Sequence, residues 1–171
     1  EYVDLVCGLL PVILGYCDLD IDYAIREQLN KGISFSLATS LEVKLGKKLK
    51  QLIPSAEQAR FSKNGSDTTT AAIRLARFLT KRDRIVVCGY HGWHDWYLAA
   101  NLSSTDSGGQ LQGHLLPGLE PNGVPDGLSG AALPFRYNHL DELEAIILQH
   151  PDQLAAVVME PTRHDEPAPG F

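Results

Sequence analysis

The sequence is poor in cysteine, short of basic charge and free of long apolar runs, and each shortage removes a class of protein. Cys7, Cys17 and Cys88 lie far apart, with no Cys-x-x-Cys pair. They read as reduced thiols in a cytoplasmic protein, each a small buried hydrophobe, and not as a disulfide framework. Lysine and arginine total 15 against 21 acidic residues, giving a net charge of −6 and a pI near 5.4. That balance argues against a nucleic-acid partner. The one basic cluster, Lys44, Lys47, Lys48 and Lys50, reads as a solvated helix face. No apolar stretch approaches the ~20 residues of a membrane span. The opening Glu1-Tyr2-Val3-Asp4 is acidic and lacks an apolar signal core, so neither a leader nor a membrane partner is expected. What is present is ordinary for a soluble globular protein: 171 residues, 44% hydrophobic and 21% charged, enough for one substantial core.

Along the chain, residues 1–17 are apolar and punctuated by Gly8, Pro11 and Gly15. They read as a buried loop with short extended pieces. Asp20 is placed to cap a helix from Ile21 to about Lys31, stopped by Gly32. Thr39 and Glu42 form a capping box for a second helix that ends before Pro54. A short strand is expected over Ala59–Lys63, and a third helix from about Asp67 to Thr80 with Ala72, Leu75, Ala76 and Leu79 on its apolar stripe. Arg84–Cys88 reads as a buried strand, Gly89 to about Leu133 as loop-rich, Leu140–Gln149 as a helix and Ala155–Met159 as a buried strand. Strand and helix therefore alternate, which predicts an α/β fold with a mostly parallel sheet and crossover helices.

In such sheets ligands sit beyond the carboxyl ends of strands. Three strand ends carry polar or aromatic residues: Asn64-Gly65-Ser66, Tyr90-His91-Gly92 and Glu160. Ser66 stands where a helix N-cap belongs, Gly65 leaves room for close approach, and the first amides of a helix have no partner of their own. Together they form a seat for an anion, most often a phosphate. A serine cap after a glycine is also ordinary turn chemistry. Tyr90 has the shape to stack on a flat ring or to close the core. Glu160 is placed to accept from a ligand or to pair with an arginine. His91 and His94 lie three apart, but further ligands at a metal-binding spacing are missing, so no metal is expected.

The similarity to a known family lies in ordered segments. They are Asp4 to Tyr16 with its Gly-x-x-Pro-x-Ile-Leu-Gly core, Lys31-Gly32-Ile33-Ser34-Phe35, Thr39 to Pro54, and Phe61 to Arg77. Gly89-Tyr90-His91-Gly92, Gly123-Val124-Pro125, Arg136-Tyr137-Asn138 and Val158-Met159-Glu160-Pro161 follow. Together they resemble a class III (fold-type I) pyridoxal-phosphate aminotransferase, closest to the glutamate-1-semialdehyde 2,1-aminomutase branch. The resemblance implies a cofactor, pyridoxal 5′-phosphate, held by Gly65 and Ser66 at its phosphate, with Tyr90 on its ring, His91 beside it and Glu160 near it. It implies residues 1–55 as a substrate- and dimer-contact segment with helices, and 56–171 as the front part of the large cofactor domain. Ser36 and Arg163 would meet the substrate, a small-molecule amino donor or acceptor, within a homodimer. The family often has Ser-Gly-Thr/Ser-Glu-Ala where this chain has Asn64-Gly65-Ser66-Asp67-Thr68, and it differs again at Thr162 to Glu166. No lysine here takes the place of the family's cofactor-linking lysine, which the resemblance puts further on. So no catalytic residue is assigned within these residues, and the chain alone is expected to be inactive. A non-catalytic remnant of the fold, or a phosphate-ligand binder using only the Gly65–Ser66 seat, are the alternative readings.

Overall fold

The computed structural model describes residues 2–102, 120–162 and 165–171. Two units divide the chain, Glu1–Arg60 and Phe61–Phe171.

In the first unit, helix α1 spans Leu19–Leu29 and α2 spans Ser40–Leu52. The cap of α1 is Asp18 and not Asp20. The Asp18 carboxylate accepts from the amides of Asp20 and Ile21 at 3.1 and 3.0 Å. Asp20 instead occupies the first turn, where an acidic side chain favours the helix dipole. The Thr39–Glu42 box forms as expected, the Glu42 carboxylate accepting from the Thr39 amide. The segment before α1 is a run of turns, and it is exposed where a buried loop was expected. Asp4 ties it together by accepting from the amides of Val6 and Gly8 and from the Tyr16 hydroxyl. Those three donors hold the Asp4 carboxyl below its usual range, the tyrosine contributing most. No described residue of this unit is buried. Cys17 is exposed and Cys7 half-buried, which leaves Cys88 as the one cysteine in a core.

The second unit is built on three parallel strands: β1 (Arg84–Cys88), β2 (Ala132–Pro134) and β3 (Leu154–Met159), in the order β2-β1-β3. Central β1 is Arg-Ile-Val-Val-Cys, an apolar run of the kind a strand shows when both of its faces are covered. Alternate side chains enter different cores. Ile85 and Val87 pack with Ile73, Trp96, Tyr97, Ala100 and Ala132, while Val86 and Cys88 pack with Phe135. Helix α3 (Gly65–Thr80) contributes Ile73 to the first core, and α5 (Leu140–Gln149) brings Leu143 and Ile146 to the second. Between β1 and β2 lies the short helix α4 (Asp95–Leu98).

Several expectations are corrected here. Residues 59–63 form no strand, and among the described residues the sheet consists of β2, β1 and β3 alone. Strand β2 emerges inside the stretch read as loop; three residues ending in proline are too short for a periodic signal. Pro134 is tolerated because β2 is an edge strand. Strand β3 is also an edge strand, and Val157 and Met159 stay partly exposed where a buried strand was expected. Most of the Gly/Pro-rich stretch from Thr105 lies outside the described residues. On α3 the stripe through Leu75 and Leu79 is exposed, and Ser66 and Ile73 are the buried positions. Thr69 and Thr70 bond to the segment after β1 and set that rotation. Among the described residues no helix is long and apolar enough to cross a membrane.

Glu142, in the first turn of α5, accepts from the backbone amide of Arg136 at 2.8 Å and from its Nε at 2.7 Å. Arg136 holds this carboxyl below the ordinary 4.5. A depressed carboxyl contributes stability that is present above its unfolded value and is lost as pH falls through the folded one. The advantage of the wild type over Glu142→Gln is expected to stay constant above pH 4.5 and to shrink below it. Urea midpoints measured from about pH 6 down to about pH 3 read this out.

Candidate functional site

The N-cap of α3 is Asn64, which corrects the assignment of that role to Ser66. The Asn64 side chain accepts from the Asp67 amide at 2.9 Å, and its Nδ2 donates to the Asp67 carboxylate at 2.9 Å. The pair holds Asp67 to one side of the helix start, with His94 Nε2 3.9 Å from its other oxygen. Ser66 therefore lies one turn-step inside the helix. The amides of Gly65 and Ser66 find no acceptor among the described residues. The Ser66 hydroxyl likewise has no partner there, although the residue is only 9% exposed. A buried hydroxyl normally has a partner, which makes this one a candidate donor to a ligand.

These donors face a hollow of about 560 Å³. Asn64, Gly65, Ser66 and Thr69 line it from α3, and residues Tyr90 to Trp93 line it from the turn after β1. Gly65 and Tyr90 thus share one cavity. Neither packing nor backbone strain calls for glycine at 65: a side-chain carbon there would meet nothing within 4 Å, and φ is not positive. What the residue supplies is space. Gly92 is different. Its φ is +106°, and an added Cβ would lie 2.6 Å from Ser66 Oγ.

The turn is tied down on both sides. Thr69 Oγ1 donates to the His91 carbonyl at 2.9 Å. His91 Nε2 lies 2.8 Å from the Cys88 carbonyl, to which it donates. Tyr90 is half-buried against the first core and also lines the hollow. Glu160 follows β3, its amide donating to the Cys88 carbonyl at 3.3 Å. Its carboxylate abuts Gly89, where an added Cβ would come within 2.5 Å of Oε2, and is not part of the hollow's lining. Ser36 sits in an exposed bend of the first unit. Arg163 lies outside the described residues.

His94 faces Thr70, whose hydroxyl is 2.8 Å from its Nδ1 and accepts from Trp96 Nε1 at 3.0 Å. Among the described residues no three His, Cys, Asp or Glu side chains come together as a metal site requires. Trp96 is core, while Trp93 is exposed at the rim. The sequence reading named Asn64 and Gly92 at the strand ends without the cap and packing roles they have, and it did not single out Thr69 or Tyr97. The Asn64 cap was detectable, since Asn three residues before an acidic residue is a usual cap pattern; the others are defined only by contacts distant in sequence.

Fold and site together define an α/β domain with a donor-lined hollow at the carboxyl edge of a parallel sheet. A cup of two open amides and a buried hydroxyl, with an aromatic ring beside it, fits pyridoxal phosphate. The chain belongs to the class III aminotransferase family, whose profile, Aminotransferase class-III, matches residues 1–165. It is 38% identical to the 3-aminobutyryl-CoA aminotransferase of Cloacimonas acidaminovorans, covering 100% of this chain and 38% of that protein. It is 35% identical to the glutamate-1-semialdehyde 2,1-aminomutase of Clostridium tetani, covering 94% and 37%. Among solved structures, an omega-transaminase from Sphaerobacter thermophilus superposes with a TM-score of 0.75 at 33% identity, covering 92% of this chain and 36% of that one. The FumI protein of Sphingopyxis sp. MTA144, in its PLP internal aldimine form, superposes with a TM-score of 0.74 at 28% identity, covering 96% and 35%. The chain spans little more than a third of these relatives, and the fold is that of the fold-type I pyridoxal-phosphate enzymes. Pyridoxal phosphate is the cofactor the family and these structures indicate.

Proposed function

We propose that the whole protein transfers amino groups through pyridoxal phosphate, as an aminotransferase or a 2,1-aminomutase, with this chain forming the front of the cofactor domain. When bound, the cofactor supplies the electron sink for breaking bonds at the carbon bearing the amine. The chain's own residues hold it. The Gly65 and Ser66 amides and the Ser66 hydroxyl donate to the phosphate at the positive end of α3. Tyr90 covers the ring face and His91 flanks it. Glu160, at the neighbouring strand end, orients the ring side of the site. Residues 56–171 carry these groups, while residues 1–55 carry substrate and dimer contacts, Ser36 among them. Arg163 meets an acidic or phosphorylated group of a small amino donor or acceptor. The protein works as a homodimer in the cytoplasm. Among the described residues no lysine lines the hollow, so the amine that links the cofactor comes from elsewhere in the protein.

The observation that carries this reading is the buried Ser66 hydroxyl, without a partner among the described residues, beside two open amides. Ser66→Ala tests it. Removing a hydroxyl that bonds to no described residue should leave the melting temperature unchanged or slightly raised. Losing a charge-assisted bond to phosphate should weaken pyridoxal phosphate binding by about tenfold or more. Titration of the purified chain, followed by cofactor absorbance, measures this; unchanged affinity would remove the phosphate assignment. If inorganic phosphate binds as tightly as pyridoxal phosphate, the site is a plain phosphate seat and the amino-transfer reading fails.

A further inference from the structure

The geometry points to Tyr97 as a positioning residue that sets the ring-binding side of the hollow while leaving the phosphate cup alone; the inference rests on the reading above. Tyr97 is fully buried in α4. Its hydroxyl donates to the Gly89 carbonyl at 2.7 Å. Its ring meets Tyr90 edge-on, with centroids 5.9 Å apart and planes at 84°. It meets His91 the same way at 6.0 Å and 89°. One side chain therefore holds three consecutive residues of the turn after β1, and two of them line the cavity.

The physical chain of cause is short. Gly89 has φ +93° and carries the Glu160 carboxylate where a side chain would be. Its carbonyl is buried, and Tyr97 satisfies it. That bond fixes the peptide plane between Gly89 and Tyr90, and hence the direction in which Tyr90 leaves the backbone. The edge-on contacts then fix the Tyr90 and His91 rings in the perpendicular arrangement that aromatic quadrupoles favour. The cup has a support that Tyr97 does not touch, the Asn64 cap local to the start of α3. Two halves of one site thus have separate supports.

Tyr97→Phe keeps the ring and removes the hydroxyl. Calorimetric titration of the chain with two probes separates the halves: inorganic phosphate reads the cup, and pyridoxamine 5′-phosphate reads the cup plus the ring face. The expected result is unchanged phosphate affinity with pyridoxamine 5′-phosphate bound about fivefold more weakly, the effect of one hydrogen bond. Equal loss for both probes, or no loss for either, overturns the inference and leaves the cofactor reading intact. An unmutated chain that binds neither probe overturns both. If the variant fails to fold, the wild type is labelled at tyrosine carbons and followed by NMR. Pyridoxamine 5′-phosphate should then shift the Tyr97 ring signals and inorganic phosphate should not; identical responses to the two, or none, overturn the assignment.

Discussion

Gly92→Ala is expected to destabilise the second unit by about 3 kcal/mol and to abolish measurable phosphate binding. Two separate penalties combine. The backbone at 92 has φ +106°, a region that L side chains enter at a cost of roughly 1–2 kcal/mol. The new Cβ would also lie 2.6 Å from Ser66 Oγ and 3.1 Å from Ser66 Cα. A flexible side-chain end could move aside, but Ser66 Cα is helix backbone. Asn64 capping and the Thr69 bond to the His91 carbonyl pin it from both directions. Relieving such an overpacked contact typically costs about 1–3 kcal/mol. Relieving it by a shift of α3 moves the Ser66 amide and hydroxyl away from the cup. Urea denaturation and phosphate titration report the two effects separately. Wild-type values for both would show that the turn swings clear of α3 without loss.

Phe135→Ala should cost more in stability, about 3–5 kcal/mol, because a fully enclosed aromatic leaves a large cavity. Phe135 is 1% exposed and fills the core on the side of the sheet opposite the first cluster, with Val86 and Cys88 and beside Leu143 and Ile146. Its amide also donates to the Val87 carbonyl at 3.0 Å, extending the pairing of β2 with the central strand. The hollow is lined from α3 and the turn after β1, and Phe135 is not among its lining residues. Below its lowered melting temperature the variant should therefore keep phosphate affinity within about twofold, since sites that share no direct partner act nearly independently. A drop in affinity as large as that for Gly92→Ala would show that the second core supports the site directly. A melting temperature within a degree or so of the wild type would show that the pocket collapses around the smaller side chain.

The sequence carried the local features well. Arg84–Cys88 and Leu140–Gln149 formed over the residues expected, the Thr39–Glu42 box closed, and the parallel arrangement followed from alternating elements. The site was legible as a neighbourhood: Gly65, Ser66, Tyr90 and His91 line one cavity, as their places at an element junction and a strand end implied. Its details were not. The cap went to Asn64, the polar edge of α3 faced inward in place of the Leu75–Leu79 stripe, and β2 and Tyr97 carried no readable signal.

The amino-acid order alone determined whatever is decided within about four residues of chain: which segments can coil, where a helix can begin, and which run is apolar enough for a central strand. Only the tertiary structure decided which side of α3 meets the sheet, which three residues join the strand beside β1, and which buried phenol holds the turn that carries Tyr90. The reason is physical. Caps and periodicity depend on bonds between near neighbours in the chain, whereas the face a helix buries and the acceptor a buried hydroxyl finds depend on groups more distant in sequence. For Thr69 and the His91 carbonyl that separation is 22 residues.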